Sequence, residues 1–201
     1  MTGKDGQEKM NTASMTIAEY LEAFAGSAPV PGGGGAAAVV GGLASSAAQM
    51  VCSLTLGKKR YAAVEEQVRE TAARLEQRRK RFLELSDADA AAFEPLAAAY
   101  SRKDISPEEM DGLLEQAAGV PLAILEEAAA MLADIAWLYE NGSKLARSDA
   151  ACAMSMACAA MDCASYNVRI NTKLLHDRAR AEEIDGRTEK LLAGKAEYLL
   201  Q

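Results

Sequence analysis

Two aspartates separated by a single residue, Asp87 and Asp89, are the strongest candidates for acid–base chemistry in this sequence. Side chains two positions apart on a helix face different sides, so the two carboxyl groups cannot share one role. Burial on an apolar face raises a carboxyl pKa, which suits a residue that transfers a proton near neutral pH. The alternative is helix capping, with Ser86 as the N-cap and Asp89 at the third helical position. The apolar face that carries Asp89 also carries Phe82, Leu85, Phe93 and Leu96.

A run of four glycines, Gly32, Gly33, Gly34 and Gly35, is the candidate ligand-binding backbone. Glycine adopts backbone angles closed to other residues and leaves no side chain between the main chain and a bound group. An apolar segment at about 36–56 follows, so the glycines are predicted to form a loop that opens onto a packed helix. The N–H groups and dipole at such a helix start favour an anionic or electron-rich ligand. A plain connecting turn is the alternative, because glycine-rich turns often only join two elements.

Three consecutive cations, Lys58, Lys59 and Arg60, follow this predicted helix. The helix dipole favours cations at a C-terminus, but it accounts for one or two charges better than for three. The triplet is therefore a candidate site for an anionic group.

Another predicted helix, from Asp149 to about Asn171, is largely apolar but carries polar side chains near its far end. Asn167 and Asn171 are four residues apart, so their side chains share one face. Asp149 is most simply a first-turn acid that the helix dipole favours, with Ser148 as the N-cap.

The sequence pattern predicts that all the elements that position these residues are helices. Thr16 and Glu19 form a capping box at an early helix start, and no segment alternates as a strand does. A helix at about 62–100 is expected to kink at Pro95, with a break near Ser86 left open, and Pro121 is expected to kink or restart a later one. The prediction is an all-α fold, a single-domain helical bundle of long, closely packed, Ala- and Gly-rich helices with no sheet.

Composition excludes several classes of protein. The formal charge of −7 argues against nucleic-acid binding, which favours a basic surface. No segment has the sequence of a typical membrane span, so we expect no membrane partner. The four cysteines form no Cys-x-x-Cys pair and the only histidine lies apart from them, so we expect no metal site.

The N-terminal residues differ in character from the remainder of the chain. Residues 1–14 are polar and show no apolar period, so they are predicted to be a disordered leader before a helical domain at 15–201. They do not form a signal peptide, and the cysteines lie in apolar helical segments, so we expect a cytoplasmic protein.

The order of the motifs resembles that of the formiminotransferase-cyclodeaminase C-terminal family over about residues 15–198. The resemblance rests on the glycine run with its alanine-rich helix and on the Asp-Ala-Asp-Ala pattern at 87–90. It also rests on Gly-Lys-Lys-Arg-Tyr at 57–61, Ser-Pro-Glu-Glu at 106–109, Val-Pro-Leu at 120–122 and Tyr-Asn-Val-Arg-Ile-Asn at 166–171. One departure is Gly35, which stands where relatives often have serine.

This resemblance implies a folate one-carbon enzyme and a homodimer. The expected reaction is that of a formiminotetrahydrofolate cyclodeaminase, which forms 5,10-methenyltetrahydrofolate and ammonia. The alternative is a methenyltetrahydrofolate cyclohydrolase, which forms 10-formyltetrahydrofolate. A more distant alternative is a non-catalytic helical dimer that binds a ligand or partner. A tetrahydrofolate derivative is the substrate in either enzyme, and no cofactor is expected.

The resemblance also implies roles for individual residues. The second aspartate of the Asp-Ala-Asp-Ala pattern is the family's catalytic acid/base, which corresponds to Asp89 here, and the glycine run forms part of the folate site. Lys58, Lys59 and Arg60 become partners for the glutamate carboxylates of the folate, whether it is polyglutamylated or not. We hypothesise that the pterin contacts are Asn167, Asn171 and Asp149.

Overall fold

The computed structural model describes residues 11–198, and within that range it contains helices and no strand. The α-helices are α1 (Ile17–Phe24), α2 (Gly33–Thr55), α3 (Glu65–Ala99), α4 (Pro107–Ala130), α5 (Leu132–Asn141), α6 (Arg147–Thr172) and α7 (Arg178–Gly194). Short 3-10 helices cover Thr12–Ser14, Lys59–Val64, Lys144–Ala146 and Lys195–Tyr198. The all-α prediction is confirmed.

The four long helices α2, α3, α4 and α6 form the body of the protein, and α2 packs mainly between α3 and α6. α2 and α3 run antiparallel, because Gly35 bonds to Asp89 near one end and Ser45 bonds to the Leu75 carbonyl farther along. α5 and α7 pack on the outside of this group.

α2 and α6 are also antiparallel, and this orientation decides which predicted site residues meet. Gly33, at the start of α2, lies beside Asn167, near the end of α6. At the opposite end, Ser143 donates its backbone N–H to the Thr55 hydroxyl, at 2.9 Å. The start of α2 and the start of α6 therefore lie at opposite ends of the bundle.

Alanine and glycine line the contact surfaces of α2 and α6, which lets their neighbours approach closely. Gly41 lies directly against the ring of Phe82 on α3, a side chain with no exposed surface. α2 is long and apolar enough to cross a membrane by length and composition alone, but half of its most apolar stretch is buried in the bundle. The buried alanines of these two helices include Ala37, Ala38, Ala44, Ala48, Ala153, Ala157, Ala160 and Ala164.

α3 and α4 both continue through their internal prolines, so the alternative that Pro121 restarts a helix is wrong. α4 continues through Pro121 and ends at Ala130, and α3 continues through Pro95. Proline in a helix leaves the carbonyl four residues earlier without its usual N–H donor. For Pro121 that carbonyl belongs to Ala117, and the Asn171 side chain donates to it at 3.3 Å. A side chain from α6 thus replaces the missing backbone hydrogen bond.

The predicted leader lies mainly outside the described residues, since 1–10 are not among them. Its last part differs from the prediction, because Thr12 is buried against α3. The Thr12 backbone N–H and hydroxyl both donate to Asp87 Oδ1, at 2.8 and 2.6 Å. These bonds order residues 11–14, which the apolar period of the sequence does not reveal.

Candidate active site

Asp89 lies where the start of α2 meets the C-terminal third of α3. The Gly35 backbone N–H donates to Asp89 Oδ2 at 2.8 Å, and the carboxyl group is half-buried. Gly35 is in the first turn of α2, where backbone N–H groups have no partner within the helix. One of these unpaired donors is therefore satisfied by Asp89, and the positive end of the helix dipole points towards its carboxyl group.

The glycine run is helix rather than loop, which corrects the prediction. α2 begins at Gly33, with Gly32 as its N-cap. Within 11–198 only Gly57 has a positive φ, so left-handed backbone is not what requires glycine in this run. Space is the reason at Gly34, where an added Cβ would lie 2.2 Å from Asp89 Oδ1. The missing side chain leaves a notch in α2 that the carboxyl group fills.

The two aspartates of α3 have separate surroundings, as the periodicity predicts. Asp87 is bound by Thr12, whereas Asp89 points into the notch. Ser86 lies inside α3 and is fully buried, so the capping alternative for Ser86 and Asp89 is wrong. Burial raises the pKa of Asp89 above its ordinary value of 3.8, and the Gly35 N–H partly opposes this rise. The carboxyl group therefore has the character of a proton-transfer group.

A cleft of about 240 Å³ opens beside Asp89. It has mainly apolar walls and three polar side chains, an arrangement typical of small-molecule sites. A larger and more open groove of about 400 Å³ beside α7 contains none of the predicted site residues. The residues that line the Asp89 cleft are Pro29, Val30, Gly32, Gly33, Asp89, Phe93, Tyr100, Ala117, Asn167, Ile170, Asn171 and Leu174.

Asn167 and Asn171 are the other two polar side chains of the cleft. The Asn167 amide donates to the Cys163 carbonyl at 2.8 Å, and the Asn171 amide donates to the carbonyls of Asn167 and Ala117. In residues 11–198 neither side-chain oxygen accepts a hydrogen bond. Each oxygen is therefore available to a ligand that carries N–H donors.

The cleft also contains residues that the sequence pattern did not identify. Tyr100, Ile170 and Leu174 supply exposed apolar walls. The buried Tyr20 hydroxyl lies beside Gly35 and Ser86. Burial raises the pKa of Tyr20, the Ser86 hydroxyl partly opposes this rise, and the carboxyl groups of Asp89 and Asp87 add to it. Only the helical spacing of α1 singles out Tyr20 in sequence, and nothing local links it to α3.

The other predicted site residues lie at the opposite end of the helical bundle, near the end of α2 and the start of α6. Lys58, Lys59 and Arg60 follow the C-terminus of α2, about 33 Å along that helix from Gly33. Asp149 is in the first turn of α6, about 27 Å along that helix from Asn167. Within one chain these four residues do not lie beside Asp89, because α2 and α6 span the full length of the bundle. Their part in substrate binding stays a prediction.

No group of three or more His, Cys, Asp or Glu side chains within 11–198 is arranged to hold a metal ion. What the described site offers is a single half-buried carboxyl group, a main-chain donor and two amide oxygens inside an apolar cleft. These features define an acid–base site in an all-helical protein, suited to a flat ligand with N–H donors.

The chain belongs to the formiminotransferase-cyclodeaminase family, whose model matches residues 16–190. The family resemblance found in the sequence is therefore confirmed. A methenyltetrahydrofolate cyclohydrolase of Methylorubrum extorquens is 36% identical over 185 residues, which cover 89% of each chain.

Two further relatives carry the other activity in their names. A formimidoyltransferase-cyclodeaminase of Gallus gallus is 26% identical over 194 residues, which cover 93% of this chain and 36% of that protein. The crystal structure of a formiminotetrahydrofolate cyclodeaminase from Thermotoga maritima has a TM-score of 0.84 and 28% identity. It covers 93% of this chain and 94% of that one.

Proposed function

We propose that this protein is a methenyltetrahydrofolate cyclohydrolase in which Asp89 is the general base. The observation that carries the proposal is the Asp89 carboxyl group, which is held by the Gly35 N–H and faces an apolar cleft. The Methylorubrum relative, alike over nearly the whole of both chains, favours hydrolysis over the cyclodeaminase reaction that the sequence resemblance placed first.

In this reaction water adds to the cationic carbon between N5 and N10 of 5,10-methenyltetrahydrofolate. The Asp89 carboxylate accepts a proton from the water as the new C–O bond forms, and its negative charge stabilises the cation beforehand. The C–N5 bond then breaks as N5 takes the proton from Asp89 and the added hydroxyl loses its proton to solvent, which leaves the formyl group on N10. The Asn167 and Asn171 side-chain oxygens accept hydrogen bonds from the pterin N–H groups.

The cyclodeaminase reaction is the second candidate, favoured by the likeness to the Thermotoga structure. There N10 attacks the formimino carbon of 5-formiminotetrahydrofolate, and ammonia leaves once its nitrogen is protonated. Asp89 then acts first in its acid form, which its raised pKa favours. Neither reaction, as proposed, requires a cofactor, and we propose a cytoplasmic location for both.

The test is to supply each folate separately to the purified protein and to follow the absorbance of the methenyl group. Hydrolysis lowers this absorbance, whereas cyclodeamination raises it. Asp89→Asn is expected to abolish the change, and Asp87→Asn, which removes an equivalent charge from the other face of α3, is expected to retain most of it. A flat trace with both folates would leave only the non-catalytic helical dimer.

A further inference from the structure

We propose that Pro121 determines which ligands the Asp89 cleft accepts, although it is not one of the residues that line the cleft. It acts through Asn171, whose amide it holds with the NH₂ group inside the protein and the oxygen towards the cleft. The cleft then presents a hydrogen-bond acceptor at this position and no donor. This inference rests on the proposed folate substrate, because a pterin ring has a donor edge formed by its N3–H and 2-amino groups.

The first observation is a buried carbonyl group that lacks its backbone donor. Ala117 of α4 is 6% exposed and lies on the wall of the cleft. In an α-helix its carbonyl would accept the N–H of the residue four positions later, but that residue is Pro121, which has none. A buried carbonyl group without a donor is unfavourable, so this one favours any N–H group that reaches it.

The Asn171 side chain supplies that N–H group. Its Nδ2 lies 3.3 Å from the Ala117 oxygen and 2.9 Å from the Asn167 oxygen. Both partners are carbonyl oxygens, which only accept hydrogen bonds, so the amide nitrogen and not the amide oxygen must face them. Both N–H bonds of the amide are then in use, and the side chain has no donor left for a ligand.

Pro121 is the reason that this orientation is fixed. The Asn167 carbonyl accepts the backbone N–H of Asn171 within α6, so it does not depend on the side chain. The Ala117 carbonyl lacks its usual donor and does depend on it. A residue with a backbone N–H at position 121 would satisfy this carbonyl within α4. The Asn171 amide would then be free to turn and present either group to the cleft.

The Asn171 oxygen remains for a ligand. It accepts no hydrogen bond from residues 11–198 and is not among the buried unpaired atoms of that range, so it has accessible surface. Asn167, the other amide of the cleft, is less constrained, because only one of its amide hydrogens is in use, at the Cys163 carbonyl. Of the two amides, Asn171 is therefore the one with a fixed polarity.

A fixed acceptor distinguishes ligands of nearly the same shape. Pterin has an amino group at position 2, whereas lumazine has a carbonyl oxygen there on the same flat ring system. The amino group donates to the Asn171 oxygen, whereas the lumazine oxygen would face a second acceptor and leave both without a donor. We expect the wild type to bind pterin about tenfold more tightly than lumazine.

The experiment measures the affinity for each free pteridine by isothermal titration calorimetry, in the wild type and in Pro121→Ala. Alanine restores the backbone N–H at position 121, so the preference for pterin is expected to fall to about twofold. With the folate substrate, the same variant is expected to raise KM about fivefold with little change in kcat, because the contacts of Asp89 are unaltered. An equal loss of affinity for both pteridines would leave the preference intact and overturn the inference.

The matched control is Pro95→Ala, which restores the same N–H inside another helix. The carbonyl four positions before Pro95 belongs to Ala91, an exposed residue, and no side chain in 11–198 donates to it. This variant is expected to keep the wild-type preference for pterin. A preference that falls equally in Pro95→Ala and Pro121→Ala would show a general effect of the substitution, and the inference would be wrong.

A second control tests whether Pro121 acts through Asn171. Asn171→Ala removes the amide, so Pro121→Ala added to it is expected to change the ratio of the two affinities by less than about twofold. A further fall in the ratio would mean that the proline acts by another route, and it would overturn the inference.

The binding readout separates this inference from the proposed function. A wild type that turns over neither folate, but whose preference for pterin depends on Pro121, supports the inference and refutes the proposed function. Turnover of a folate with a preference that Pro121→Ala leaves unchanged does the reverse. A wild type that binds neither pteridine, or binds both equally, overturns the inference.

Discussion

The hydrogen bond that holds Asp89 comes from the main chain, and the space that the carboxyl group occupies comes from an absent side chain. Gly35 supplies the N–H and Gly34 supplies the space. Two adjacent glycines thus have different physical roles. The difference makes them a matched pair for testing the site.

We expect Gly34→Ala to reduce turnover at least tenfold with little loss of stability. Its Cβ would lie 2.2 Å from Asp89 Oδ1, and the end of a flexible side chain moves away easily. Gly35→Ala is the control, because its Cβ would meet Ser86 Oγ at 3.4 Å, an ordinary contact. Steady-state rates and melting temperatures of both variants check this. If Gly34→Ala and Gly35→Ala lose the same fraction of their turnover rate, the missing side chain at position 34 is not what accommodates Asp89.

The protonation state of Asp89 distinguishes the two candidate reactions. A general base must start as carboxylate, so in a cyclohydrolase kcat/KM falls as pH falls through the raised pKa of Asp89. A group that first donates a proton gives the opposite slope, with kcat/KM falling as pH rises through that pKa. We expect the first profile with methenyltetrahydrofolate. The pH profile of kcat/KM on each folate is the measurement, and a flat profile between pH 4 and 8 would contradict either role.

We also expect Asp89→Asn to stabilise the protein at neutral pH. A folded-state pKa raised by burial means that stability is lost as pH rises from about 3.8 through the raised value, because the folded state disfavours the charged form. Asparagine removes that charge and keeps an oxygen for the Gly35 N–H. Urea denaturation should therefore show a stability gain at pH 7 that disappears below pH 3.8. A constant difference across pH would exclude this origin.

At the scale of single residues, periodicity was enough to select Asp89 over Asp87, because the two faces of a helix are fixed by spacing alone. Tyr20 and Thr12 were not predictable in their contacts, since each meets α3 more than sixty positions away in sequence. The reason for glycine at position 34 was equally hidden. It depends on where another helix points its carboxyl group.

At the scale of the elements, α2 depends on close packing at defined positions. Gly41 and Gly42 are adjacent and both buried, but only Gly41 faces the Phe82 ring. Helix identity and length followed from the sequence pattern because the apolar spacing is long and regular. The ends of the helices did not follow from the pattern. Pro121 is an example, because Asn171 of α6 donates the hydrogen bond that the proline cannot, and α4 continues past it.

We expect Gly41→Ala to lower the free energy of unfolding by about 1–3 kcal/mol, because its Cβ would lie 2.5 Å from the Phe82 ring. Gly42→Ala is the control, since its nearest contact would be 3.7 Å and alanine favours helix by about 0.5–1 kcal/mol. Chemical denaturation of both variants measures the difference. If Gly42→Ala also lowers the free energy of unfolding, a steric clash with the Phe82 ring is not what distinguishes the two positions.

At the scale of the whole molecule, the fold class was predictable and the layout of the site was only partly so. The Asp89 end combined as predicted because its residues lie on three helices whose ends meet. Lys58, Lys59, Arg60 and Asp149 did not join them, because the sequence pattern predicts how long α2 and α6 are but not which of their ends lie together. Whether two residues share a site depends on their distance along the bundle. That distance can be known only once it is known which helix ends are neighbours.

Because the hydrogen bond to Asp89 comes from the main chain of Gly35, positions 34 and 35 are expected to vary differently in evolution. Any residue except proline offers a backbone N–H, so position 35 can accept a small side chain while the contact persists, although Ser86 and Tyr20 leave no room for a large one. Position 34 has no such freedom, because any added atom enters space that Asp89 fills. Inherited variation at these two neighbouring positions is therefore expected to be unequal. Small side chains are expected at position 35, whereas only glycine fits at position 34.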